Sequence, residues 1–231
     1  MLPIRDTIRS RTFPFVTYSL IAVNVLVFLF EEIIPGPALD SLFWYFGLVP
    51  ARLSLFRPLT WITLITSVFL HGGWFHLISN MWTLFIFGDN VEDRMGSGRF
   101  LLYYLLAGIA AGLTQVFFMP DSSLPTIGAS GAIAGVLGAY FILYPAAKVI
   151  TIIPLFFIPW FIDIPAFIYL GIWFLSQLSS GLVTLGAVSD FGGVAWWAHI
   201  GGFVFGFLTV RLFTRKVKTY RRLYNDEYWP W

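Results

Sequence analysis

Residues 15–34 read FVTYSLIAVNVLVFLFEEII, an apolar run that ends at Glu31 and Glu32 and is closed by Pro35. A helix crossing about 30 Å of hydrocarbon needs roughly 20 such residues. The stretch therefore predicts a membrane-spanning helix, with lipid as the solvent around the fold. Composition agrees: 58% of the 231 residues are hydrophobic and 11% are charged, whereas a water-soluble domain carries about 25% charged residues. Arg5, Arg9 and Arg11 flank the run as they would a signal peptide. No small-residue cleavage site follows, so the span is expected to be retained.

Five further spans follow by the same reading, at about 74–88, 100–119, 128–144, 165–182 and 195–212, beside the first at 15–34. Between the fourth and fifth, Pro154, Pro159 and Pro165 interrupt an apolar stretch that also holds Asp163. Proline inside a helix costs about 3 kcal/mol, so an apolar interfacial hairpin is expected near 150–160 rather than another span. Residues 35–58 mix Trp44, Tyr45, Phe46 and Phe56 with Asp40, Arg52 and Arg57, a pattern that predicts a segment lying in the headgroup region. Residues 1–213 then form one all-α membrane domain of six helices, and 214–231 form a basic tail.

Charge placement orients this domain. With the N-terminus inside, the cytoplasmic segments hold Arg5, Arg9, Arg11, Arg94, Arg99, Lys148, Arg211, Arg215, Lys216, Lys218, Arg221 and Arg222, leaving only Arg52 and Arg57 outside. That asymmetry is what the positive-inside rule requires. A seventh span would move the basic tail to the wrong side. Both termini are expected to be cytoplasmic, in a multi-pass protein of the plasma or bacterial inner membrane.

Several function classes drop out. A net charge of +2 offers no footprint for nucleic acid, and the absence of cysteine removes disulfides, thiolate metal sites and a cysteine nucleophile. There is no His-Glu-x-x-His and no pair of aspartates within the spans. Neither a metal nor another cofactor is expected. A small-molecule transporter is a rival reading, since intramembrane histidines also relay protons, but inverted repeats and a mid-membrane carboxylate are missing.

Polar groups inside a bilayer are costly and mark function by default. The second span carries His76 and Asn80, four residues apart and so on one helix face. The fourth opens with Gly128-Ala129-Ser130-Gly131, and the last contains Ala198-His199-Ile200-Gly201-Gly202. Counted from the cytoplasmic helix ends at about 1.5 Å per residue, Ser130 lies about 21 Å up, His199 about 18 Å and His76 about 20 Å. All three thus fall roughly 10 Å below the outer face of a 30 Å core. Taken singly, each has a packing explanation. Gly131 with Gly135, and Gly202 with Gly206, are small-xxx-small pairs of the kind that pack helices in lipid, and His76 with Asn80 suits an interhelical hydrogen bond. Their common depth favours chemistry. Ser130 is a candidate nucleophile that needs a base, and His199 is the histidine available to serve. Glycines at 131, 135, 201 and 202 would let the two helices approach. No carboxylate shares this depth, so a dyad is expected. The Ser130 N–H at a helix N-terminus, with His76 and Asn80, could hold an oxyanion.

In order along the chain, these residues resemble the rhomboid family of intramembrane serine proteases. The resemblance rests on Phe69-Leu70-His71-Gly72-Gly73 leading to His76-x-x-x-Asn80, then Glu92-Asp93-Arg94-Met95-Gly96-Ser97-Gly98, Gly128-Ala129-Ser130-Gly131, and Ala198-His199-Ile200-Gly201-Gly202. It covers roughly residues 56–213. It implies Ser130 as nucleophile, His199 as general base and acid, and His76 and Asn80 as oxyanion donors. His71, Gly128 and Gly131 would support the site, and Glu92 and Arg94 would play a structural part. Substrates would be single-span membrane proteins cut near the outer face, admitted sideways between the second and fifth spans. A catalytically silent relative that binds membrane proteins is the alternative. Two positions depart from the pattern. Where some members stack an aromatic under the histidine this chain has Ala134, so Trp196 or Trp197 is expected to orient His199. Where many have Trp-Arg, it has Ile62-Thr63.

Overall fold

The computed structural model describes residues 2–155, 158–185 and 193–215. Strand β1 (Leu2–Asp6) precedes α1 (Phe15–Ile33) and α2 (Gly36–Phe46). A chain of short helical turns follows, including α3 (Thr63–Thr66), before α4 (Trp74–Met95) and α5 (Ser97–Phe118). The order then runs α6 (Ser130–Leu143), β2 (Lys148–Leu155), β3 (Ile158–Pro165), α7 (Ala166–Leu185) and α8 (Trp196–Phe213). Helices α1, α5, α7 and α8 are each long and apolar enough to cross a membrane. Helix α4 joins them if counted with Pro58–Phe69, from which it bends by 82°. Helix α6 is apolar but has only 14 residues, about 21 Å of rise. The basic tail lies, from residue 216 onward, outside the described residues.

The fold is not purely helical, as the sequence reading had it. At the end of the bundle where α6 finishes, β1, β2 and β3 form a three-stranded antiparallel sheet in that order. The hairpin expected near 150–160 is a β-hairpin whose register pairs Lys148 with Pro165 and Ile150 with Asp163. Strand β1, with a proline in five residues, gives no strand signal of its own. It exists because β2 offers an open edge, pairing Leu2 with Ile152 and Asp6 with Val149. Asp6 then accepts hydrogen bonds from the Tyr140 hydroxyl on α6 and from Asn90 Nδ2 on α4.

Helix α4 runs seven residues past its expected end at Gly88, because its polar last turns have work inside the protein. Glu92 is buried and accepts from the backbone N–H groups of Val16 and Thr17, at 3.0 and 2.8 Å, and from the Thr17 hydroxyl at 2.8 Å. The first N–H groups of a helix have no intrahelical acceptor, and Pro14 before α1 provides no side-chain cap. Glu92 is that cap, supplied from another helix, and its charge suits the positive end of the α1 dipole. Asp93 extends the arrangement by accepting from the N–H and hydroxyl of Thr12. Replacing Glu92 by alanine strands two buried backbone donors and the Thr17 hydroxyl at about 1–3 kcal/mol each. We expect Glu92→Ala to lower the unfolding midpoint by several degrees in detergent, read by a thermal melt.

Helix α6 sits between α5 and α8 at backbone distance. A Cβ at Gly202 would lie 2.0 Å from the Gly131 carbonyl oxygen, and one at Gly206 would lie 2.0 Å from that of Gly135. On the opposite side Gly131 and Gly135 face the methyls of Ala111 and Ala107. Gly201 differs from expectation: it faces Thr114 on α5, not α6. The Tyr103 hydroxyl donates to the Gly135 carbonyl at 2.8 Å. The small residues make α6 the most enclosed helix of the bundle, buried from Gly131 to Tyr140. Helix α7 is the contrary case, with only Ala166, Leu170, Gln177 and Gly181 buried.

The first loop packs partly by its own side chains. The Arg52 guanidinium lies over Trp44 and Tyr45, the Trp61 indole N–H donates to the Ser54 carbonyl, and the Thr66 hydroxyl donates to that of Phe46. Leu48 pairs with Thr126, which ties this loop to the segment entering α6. Leu55, Phe56 and Leu59 are almost fully exposed.

Candidate active site

Ser130 is the first residue of α6, and His199 lies in the first turn of α8. The glycine contacts between these helices set the two side chains facing each other, with His199 Nε2 2.7 Å from Ser130 Oγ. His199 is buried and Ser130 half-buried. A hydroxyl and an imidazole at that separation can pass a proton between them. Both line a cavity of about 740 Å³ to which His76, Asn80, Gly128 and Trp173 also contribute.

His76 and Asn80 lie on the face of α4 turned toward the start of α6. Gly128 shows how close they come. A Cβ built there would be 2.5 Å from His76 Nε2 and 3.7 Å from Asn80 Nδ2. Gly128 also has φ +120°, a region that residues bearing a Cβ avoid. Its N–H donates to the Ser67 carbonyl at 2.9 Å, which holds the turn in place. A substitution at Gly128 meets strain and overlap together. Gly128→Ala is expected to push His76 aside and to lower the unfolding midpoint by several degrees, a loss that a thermal melt of the purified variant would register.

Asn80 Nδ2 is buried and has no hydrogen-bond partner among the described residues. His71 stands one layer behind. Its ring packs edge-on against His76 with centroids 5.1 Å apart, and neither ring nitrogen has a partner among the described residues. Its backbone N–H donates to the buried Glu31 carboxylate at the end of α1.

His199 is oriented differently from the sequence expectation. Trp197 stacks on Phe118 with centroids 3.7 Å apart and so turns away from the imidazole. Trp196 meets the imidazole only edge-on at 6.2 Å, while Trp173 on α7 lies 5.9 Å from it, tilted by 33°. The direct polar contact is Gln177 on α7, whose Oε1 is 2.8 Å from His199 Nδ1. The sequence reading missed this residue. Its signal was Gln177, the one amide side chain in a span whose other polar residues are hydroxyls, which by the rule applied to the other helices should have been counted. Ala134 faces α8, its Cβ lying 3.3 Å from where a Cβ on Gly202 would sit.

Apolar helices around a contacting serine–histidine pair define a class of membrane protein, and comparison with known families says which. Residues 58–216 match the family described as the rhomboid domain, and the chain belongs to that family. Among curated proteins, it is 41% identical over 133 residues to Rhomboid protease GluP of Bacillus subtilis, covering 58% of this chain and 25% of that protein. It is 32% identical over 151 residues to Rhomboid protein 1, mitochondrial, of Saccharomyces cerevisiae, covering 64% and 40%. With the human Presenilin-associated rhomboid-like protein, mitochondrial, identity is 28% over 197 residues, covering 81% and 45%. The matches thus span between a quarter and under half of these relatives' lengths.

Proposed function

We propose that the protein is a serine endopeptidase that hydrolyses peptide bonds of single-span membrane proteins near the outer membrane face. The 2.7 Å contact between Ser130 Oγ and His199 Nε2 carries this reading. A hydroxyl alone is a poor nucleophile. In the proposed reaction Nε2 takes the Ser130 proton as Oγ attacks the substrate carbonyl carbon. The resulting oxyanion meets the Ser130 N–H at the start of α6, Asn80 Nδ2 and the His76 ring. The imidazolium then gives its proton to the leaving amine, and an acyl group remains on Oγ. His199 next draws a proton from water, whose oxygen attacks the acyl carbon; the bond to Oγ then breaks, Oγ takes the proton back from Nε2, and the carboxylic acid is freed. The cavity around the pair is large enough to hold that water.

The membrane arrangement follows from lengths and charge. Helices α1, α4, α5, α6, α7 and α8 serve as six spans, with both termini cytoplasmic in a plasma or bacterial inner membrane. Because α6 is shorter than the hydrocarbon is thick, Ser130 lies below the outer face while Tyr144 reaches the inner one. A substrate helix hides its amides in internal hydrogen bonds, so cleavage falls beside small, helix-weakening residues. Access is lateral, between α4 and α7, and α7 exposes most of its length. A relative that only binds membrane proteins would have no use for an aligned serine–imidazole contact.

Purified protein in detergent, given a single-span test substrate, is expected to release two fragments. A fluorophosphonate is expected to add to Ser130, as seen by peptide mass mapping. Cleavage at an undiminished rate by Ser130→Ala would overturn the proposal.

A further inference from the structure

We infer that Gln177 is the positioning residue of the catalytic base: its side-chain oxygen holds His199 in the tautomer that leaves Nε2 free to take the Ser130 proton. This rests on the serine-protease reading above. An imidazole has two nitrogens, and the bond made by one decides which carries the proton. Gln177 can present either an oxygen or an NH₂ group to Nδ1, so its amide orientation matters. That orientation is fixed from behind. Gln177 Nε2 donates to the Trp173 carbonyl at 3.3 Å and to the Ser176 hydroxyl oxygen at 2.9 Å. Both amide hydrogens are thereby used, and Oε1 is left facing His199 Nδ1 at 2.8 Å. An acceptor at that place requires Nδ1 to be the N–H, so Nε2 presents its lone pair to Ser130.

The surroundings leave this task to Gln177. None of the helices packed against α8, namely α5, α6 and α7, carries an Asp or Glu, and the other histidine lining the same cavity is His76 on α4. The two tryptophans near the imidazole offer ring contact only, which restricts tilt but does not choose a tautomer. Gln177 is itself buried, so water cannot readily substitute for it. A neutral amide also differs from a carboxylate in effect. It selects the tautomer without adding a charge that would hold the proton on the imidazole after transfer.

Two readouts test this. Gln177→Leu, and Gln177→Met as a second apolar variant of similar length, are expected to lower kcat on the order of 100-fold through misalignment of the base, with KM changed less than twofold. Gln177→Glu, which keeps an acceptor oxygen at this place but adds a charge, is expected to keep the Nδ1–H tautomer while recovering only part of that loss in kcat. Independently of turnover, histidine-selective ¹⁵N NMR of the Ser130→Ala protein should show His199 protonated at Nδ1, and the same protein with Gln177→Leu should move the proton toward Nε2. Wild-type kcat in both apolar variants, or a tautomer that does not respond to the substitution, would overturn the inference. If Ser130→Ala is inactive in the same assays, the protease reading survives that failure. If Ser130→Ala still cleaves, the failure lies with the dyad itself.

Discussion

His199→Ala is expected to cut kcat roughly a millionfold, equivalent to about 8 kcal/mol of transition-state stabilisation. The size follows from the role. Without a base at Nε2, Ser130 must attack with its proton still attached, and the leaving amine must depart unprotonated. Ser130→Ala is expected to cost about as much. The stronger prediction concerns the pair. Residues that act as one unit lose their effect together, so the double variant Ser130→Ala/His199→Ala should be no slower than either single one. Two independent packing residues would instead show losses that add. The measurement is the initial rate on a single-span substrate for the wild type, both single variants and the double, in one detergent. Rates that multiply, or a single variant that retains substantial cleavage, would count against a shared proton. Thermal melts taken alongside separate chemistry from folding, since Ser130→Ala removes a single oxygen and leaves the glycine contacts of α6 in place.

Asn80→Ala is the second large effect, and its interest lies in a split between activity and stability. In the resting protein Asn80 Nδ2 is a buried donor without a partner among the described residues. Keeping a donor desolvated and unsatisfied costs about 1–3 kcal/mol. The amide therefore contributes little to folding, and its removal is expected to leave the unfolding midpoint unchanged or slightly raised. In the proposed reaction the same N–H is a donor to the oxyanion. Loss of one such donor typically costs about 2.7–4 kcal/mol, or 10²–10³ in kcat, with KM nearly unaffected because the interaction is made only in the transition state. A purely structural hydrogen-bonding residue would behave the other way, losing stability first. Kinetics and melts on one preparation distinguish the two.

Much of this protein was legible before any coordinates. The apolar runs ending at Glu31, Pro120 and Pro145 marked helices within a few residues of where they lie, because a bilayer imposes a length. The site was visible for a related reason: Ser130, His76, Asn80 and His199 are polar groups where lipid makes polarity costly. Errors arose where another segment supplied what local sequence lacked. Helix α4 outlasts its apolar run because Glu92 caps α1, and β1 is a strand only because β2 has a free edge. Gln177 was passed over because nothing in α7 alone points to the histidine on α8.

What the sequence determined alone was the apolar solvent, most of the helices and the polar residues set within them, since each depends on spacing along one chain segment. Tertiary structure alone decided which faces meet: that Gly202 reaches the Gly131 carbonyl while Gly201 turns to α5, and that an amide, not an indole, touches Nδ1. Helix rotation about its own axis is set by the side chains of neighbours distant in sequence, and no single segment encodes it.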